Sequence, residues 1–140
     1  SPTEERHWKT LELMGEQNII TIKGLEGGTD LSISRSSTIG QYKNQHGTRT
    51  VFHPKDYECS GQDIEWNDIE EWQRFALQAL NGEGPLIKAL EWNAGIYFFY
   101  SGLSSDVKEG IHKAKEVINS GFALKHLEKL INWKQENIES

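Results

Sequence analysis

The chain has 140 residues and a formal charge of −6, with 36% hydrophobic residues, five Trp, five Phe, four Tyr and a single cysteine. That length suits one domain, residues 1–140, able to bury a sizeable core, and the aromatic content is too high for a disordered chain. The acidic balance weighs against a generic nucleic-acid or polyphosphate binder, one cysteine excludes an internal disulfide and fits a reducing, cytoplasmic setting, and no run reaches the roughly 20 apolar residues that span a membrane.

Ser1-Pro2-Thr3-Glu4 reads like an internal loop entering a helix, as in a fragment or a processed product. Thr3 is the expected cap, Glu4 and Glu5 suit the positive helix end, Trp8, Leu11 and Met14 follow at helical spacing, and Gly15 closes the element. The β-branched run Asn18–Lys23 predicts a buried strand. Gly24–Asp30 is a glycine-rich loop with two carboxylates, Glu26 and Asp30, and it matches neither a phosphate-binding P-loop nor a dinucleotide fingerprint. Leu31-Ser32-Ile33-Ser34 alternates like a short strand. Ser37–Lys43 and Thr48–Phe52 form an expected hairpin around a four-residue loop, Asn44-Gln45-His46-Gly47. Pro54 holds His53 extended and ends the strand-rich half, and residues 58–67 make a polar connection.

The second half reads as helical. Asp68–Leu80, capped by Asn67, places Ile69, Trp72, Phe75, Ala76 and Leu80 on one face. Pro85–Gly102 is the most apolar window. Its second half, Ala94–Tyr100, is apolar or aromatic on every side, so it is expected as the enclosed core helix, with Pro85 in its first turn and Gly102 as its stop. Asp106–Ser120, capped by Ser104 or Ser105, turns Val107, Ile111, Ala114 and Ile118 inward. After Gly121 a last helix carries Ala123, Leu124, Leu127, Leu130 and Ile131 and frays beyond Trp133. The fold class is therefore α/β: a small mixed sheet over about residues 18–53, followed by four packed helices.

Residue by residue, the chemistry is sparse. Asp30 with Glu26 reads as a magnesium-ligating pair at a strand end or, more commonly for such a loop, as a turn bonded to local backbone donors. Lys23 and Arg35 could meet phosphate, but a solvated lysine and arginine are the plainer reading. Cys59 reads as structural rather than as a reactive thiol, since no His or Lys is placed beside it by spacing. His53 reads as a loop residue packed on Tyr57, and His112 and His126 as surface residues on separate helices. Asn93 in the core helix needs partners for its amide and is assigned a structural hydrogen bond to a neighbouring loop. Trp92, Tyr97, Phe98, Phe99 and Tyr100 could stack on bases, but a helix embedded in core fits them better than an exposed platform does. The lysines from Lys108 to Lys134 are interleaved with Glu and read as solvated faces.

The run Asn93-Ala94-Gly95, then Ser101-Gly102, Gly110, Ala114, Ile118, Ser120-Gly121, Ala123 and Leu127 resembles the C-terminal end of anthranilate phosphoribosyltransferase. Earlier, Lys23-Gly24 and the loop from Glu26 to Ser32 resemble that family's His-Gly…Gly-Leu-Asp-Glu-Ile-Ser stretch, and Phe52–Tyr57 is similar to its Thr-Pro-Glu-Asp-Phe. The likeness runs in order over nearly the whole chain, although no single motif is specific.

That resemblance implies a C-terminal segment of the family's large α/β domain. Its partners would be the missing N-terminal portion of the same protein and, in the intact parent, phosphoribosyl pyrophosphate and an aromatic amine. The implied cofactor is Mg2+, held by an adjacent Asp-Glu pair. The matching positions here are Thr29 and Asp30, so Asp30 is the one metal ligand carried over, and no catalytic residue is. Lys23 stands where the family has His. Both departures resemble a divergent paralogue group that keeps the fold, some of whose members bind nucleic acid. The implied reaction is phosphoribosyl transfer, with the isolated chain expected to be inactive; the alternative is a non-catalytic nucleic-acid-binding or structural member of the same fold group.

Overall fold

A computed structural model describes residues 1–138, the side chain of Glu26 excepted. Two compact units result, residues 1–60 and 61–140.

In the first unit, helix α1 (Pro2–Leu13) lies beside strand β1 (Asn18–Ile22), which is followed by β2 (Ser37–Lys43) and β3 (His46–Phe52). The α1 cap is Ser1, ahead of the expected Thr3: its Oγ accepts from Glu4 N, and Pro2 takes the first turn, where no donor is needed. Gly15, at φ +98°, ends the helix as expected.

The sheet has the order β1-β2-β3, with Ile22 opposite Ile39 and Lys43 opposite His46. Every pairing in it is antiparallel, where a mixed sheet was expected. The α/β class itself stands. The hairpin turn is also tighter than anticipated. Asn44 and Gln45 alone make it, both at positive φ (53° and 62°), and His46 already belongs to β3. Two left-handed residues give the type I′ twist that matches twisted strands.

Trp8 forms the centre of this unit. It is buried against the sheet, stacked on Tyr42 at 5.6 Å between centroids, with the Arg49 guanidinium 4.9 Å from its ring. Thr21, Gly40 and Arg49 stand side by side across the three strands. Gly40, in the middle, leaves space that the Glu4 carboxylate fills, since a Cβ there would collide with it. Glu4 accepts from Thr21 Oγ1 at 2.6 Å and from Arg49 Nε at 2.7 Å.

Leu31-Ser32-Ile33-Ser34 is not a strand. All of Leu31, Ser32 and Ile33 are buried, so the expected alternation fails. Ser32 Oγ accepts from Ser34 N at 3.0 Å, and this local turn bond replaces sheet pairing.

The second unit contains α2 (Ile69–Leu80), α3 (Ile87–Tyr100), α4 (Val107–Asn119) and α5 (Phe122–Ile138), the four helices expected after the sheet. Asp68 rather than Asn67 caps α2, and Asp106 rather than Ser104 or Ser105 caps α4; each carboxylate accepts from the backbone N–H three residues on. A carboxylate offers the dipole a full charge as well as a lone pair, which is why it wins the position.

Helix α3 buries Trp92, Gly95 and Ile96, whereas Tyr97 is exposed and Phe98–Tyr100 are half-buried, so its aromatic end is less enclosed than its composition suggests. It ends in a Schellman turn: Gly102, at φ +78°, donates to Phe99 O and Leu103 donates to Phe98 O. Pro85 lies just ahead of the first turn, not within it. Helix α4 turns Val107, Ile111, Ala114 and Ile118 inward as expected. Helix α5 runs on to Ile138 without fraying at Trp133, and none of its described residues is fully buried.

Candidate functional site

The glycine-rich loop is built by its own backbone. Leu25–Gly27 makes one 3-10 turn; Gly24 N donates to Gly28 O at 3.0 Å, Leu25 N to Asp30 O at 2.7 Å and Gly28 N to Leu25 O at 2.8 Å. Gly24 is packed against this turn so closely that a Cβ would stand 2.6 Å from Asp30 O. The loop therefore presents Asp30 from a fixed backbone, directly ahead of the buried Leu31.

Asp30 is exposed, as are its neighbour Thr29, Lys23 and Arg35. The expected second carboxylate, the Glu26 side chain, lies outside the described residues. Among the described residues no group of three or more His, Cys, Asp or Glu side chains gathers as metal ligands would.

The remaining candidates take structural positions. Cys59 is buried at 1% exposure and its N–H closes a turn on Pro54 O. His53 is exposed and extended ahead of a 3-10 turn, Pro54–Tyr57, as its Pro neighbour demands. Asn93 Nδ2 donates at 2.9 Å to Ala89 O, a partner in its own helix. His112 is exposed and 3.3 Å from Glu116, and His126 is exposed on α5.

Residues singled out by family likeness meet at one seam. Gly95 on α3 and Gly110 on α4 let the two backbones touch: a Cβ on Gly95 would lie 2.8 Å from Ile111 N, and one on Gly110 would strike Gly95 O. Ala114 and Ile118 continue the same buried face.

Two electrostatic features were not anticipated. Glu4 is pushed up by burial, but hydrogen bonds from Thr21 and Arg49 outweigh this and leave its pKa lowered. Glu109 accepts from the hydroxyl and the N–H of Ser105 at 2.6 and 2.7 Å and meets Lys113 at 3.2 Å, which together hold its pKa at about 2. Glu4 was read only as a helix-dipole residue because its partners are 17 and 45 positions away, beyond any local pattern.

Anthranilate phosphoribosyltransferase of Paracidovorax citrulli is 25% identical over 127 residues, 88% of this chain and 37% of that enzyme. The Methanobrevibacter smithii enzyme is 26% identical over 129 residues, 89% of this chain and 38% of its own length. The crystal structure of anthranilate phosphoribosyltransferase from Thermus thermophilus superposes with a TM-score of 0.60 at 26% identity, covering 87% of this chain and 37% of that one. The chain is similar to one part of enzymes of this name. A Streptococcus pneumoniae enzyme of the same name is 28% identical and likewise matched over 39% of its length, so the chain spans less than two fifths of the relatives it matches. No family model matches it.

Proposed function

We propose that this chain is the C-terminal portion of a phosphoribosyltransferase fold, and that transfer of a phosphoribosyl group from phosphoribosyl pyrophosphate to an aromatic amine requires the part of that fold lying outside it. The observation that carries the reading is coverage: relatives named for that activity match about nine tenths of this chain but only 37–39% of themselves. Such a transfer rests on holding a polyanionic donor and an amine in line while charge develops, which takes groups converging from several elements.

Mg2+ demands near-octahedral oxygen coordination and usually bridges to substrate phosphates. The described residues are not a self-contained site for it. Asp30 offers one exposed carboxylate, next to a Thr29 hydroxyl. In this reading Asp30 is a single ligand to an ion completed by substrate phosphates and by residues elsewhere in the parent. The charge of −6 weighs against the nucleic-acid alternative for this segment.

The test is a steady-state assay of the 140-residue chain with phosphoribosyl pyrophosphate, anthranilate and Mg2+, following anthranilate fluorescence. No consumption is expected. Turnover by this polypeptide alone would overturn the proposal.

A further inference from the structure

The second unit carries an exposed apolar face. Around the start of α2, Trp66 is 59% exposed, Ile69 53%, Trp72 49% and Ile64 43%. Trp66 and Trp72 stand 6.5 Å apart between ring centroids, tilted by 45°, so the two indoles make one surface. Beside them opens a cleft of about 380 Å³ whose apolar lining is Ile64, Phe75 and Pro85 and whose polar lining includes Asp63, Glu65 and Glu71. Paired exposed tryptophans next to a cleft are the anchor type that interfaces favour.

Charge decides the occupant. Between residues 61 and 75 the carboxylates are Asp63, Glu65, Asp68, Glu70 and Glu71, and the only Lys or Arg is Arg74. Arg74 already lies 3.6 Å from Glu71 and over the Phe75 ring. An acidic surface of this kind repels nucleic acid and anionic membrane. It also disfavours the same face of a second copy, since each copy carries the same five carboxylates. It suits lysine and arginine side chains, whose aliphatic stems cover indole while the cation meets carboxylate.

We propose that the Ile64–Trp66–Ile69–Trp72 face docks a cationic amphipathic polypeptide segment from outside these 140 residues, with its apolar side chains in the cleft and its Lys or Arg residues against Glu65 and Glu70.

The 140-residue chain is titrated against a labelled Lys/Leu amphipathic helical peptide and, in parallel, its Glu/Leu counterpart, by fluorescence anisotropy at low and high salt. Binding of the Lys/Leu peptide alone is expected. It should weaken at least about tenfold in the Trp66→Ala/Trp72→Ala double variant, and again in Glu65→Gln/Glu70→Gln or at high salt. The substituted residues are exposed, and the unchanged indole NMR signal of buried Trp92 reports that the fold is kept; Trp133→Ala on α5 should leave binding as it is. Equal binding of both peptides, or no loss in the double tryptophan variant, would overturn the proposal. So would self-association through this face in sedimentation velocity with no peptide bound, because the occupant would then be a second copy.

Discussion

At the scale of single residues, the family-like run of the second unit is occupied with packing. Gly95, Gly110, Ala114 and Ile118 are buried on the α3–α4 seam, and none of them carries a group that could do chemistry. Gly95 shows why the position is restrictive. A methyl there would lie 2.8 Å from Ile111 N and 2.9 Å from Ile111 Cα, both main-chain atoms that cannot swing aside, so the helices must separate. Overpacking of this kind costs about 1–3 kcal/mol. Gly95→Ala, and likewise Gly110→Ala, is expected to lower the urea midpoint of the 61–140 unit by a corresponding amount, whereas Gly102→Ala, with nothing near its missing Cβ, should be limited by its left-handed backbone alone. Equilibrium denaturation followed by the Trp92 signal checks it; a Gly95→Ala variant as stable as the parent would remove the close-approach account of the seam.

At the scale of elements, the hairpin gives the sharpest contrast between local pattern and outcome. Strand β2 was read to the residue as Ser37–Lys43, but its turn was placed two residues too long. Asn44-Gln45 lacks the glycine that normally announces a two-residue type I′ turn, and Gly47, taken as part of the loop, lies within β3 opposite Tyr42. Gln45 at φ 62° therefore holds a conformation that costs a non-glycine residue roughly 1 kcal/mol. Gln45→Gly should recover part of that and raise the thermal midpoint of the 1–60 unit, measured by the Trp8 signal; a lower midpoint would mean that Gln45 makes a stabilising contact exceeding its strain. The helices were legible for the opposite reason. The spacing of Val107, Ile111, Ala114 and Ile118 is periodic, and Gly15, Gly102 and Gly121 all adopt positive φ at helix ends. The strand expected at Leu31–Ser34 failed because alternation records side-chain polarity and not the backbone bond that Ser32 diverts to itself. Of the candidate site the sequence offered one carboxylate, Asp30, which the structure places at the surface with no group of three or more His, Cys, Asp or Glu side chains gathered as metal ligands among the described residues.

At the scale of the whole molecule, the two units are tied to pH by different carboxylates with the same sign. Glu109 has its pKa lowered from 4.5 to about 2 by Ser105 and Lys113. Its folded-state pKa lies below the unfolded one, so its contribution is complete above about pH 4.5 and disappears as pH falls through about 2. Glu4, lowered by Thr21 and Arg49 against the upward push of burial, acts in the same direction in residues 1–60. Glu91 opposes them: burial raises its pKa, and the charges of Lys115 and Lys88 recover only part of that, so its contribution is present at low pH and lost as pH rises. Glu109 is at the surface, where counter-ions weaken the Lys113 attraction but not the two short Ser105 bonds. Acid titration followed by the indole NMR signals of Trp8 for residues 1–60 and Trp92 for residues 61–140 should therefore show stability falling in both units below about pH 4.5. Glu109→Gln should make the Trp92 transition shallower between about pH 4.5 and 2, and the difference from the parent should survive high salt because it arises from hydrogen bonds. Superimposable titrations of parent and variant would show that the Ser105–Glu109 contact does not persist in solution, and the acid response of the helical unit would then have to be assigned to other carboxylates.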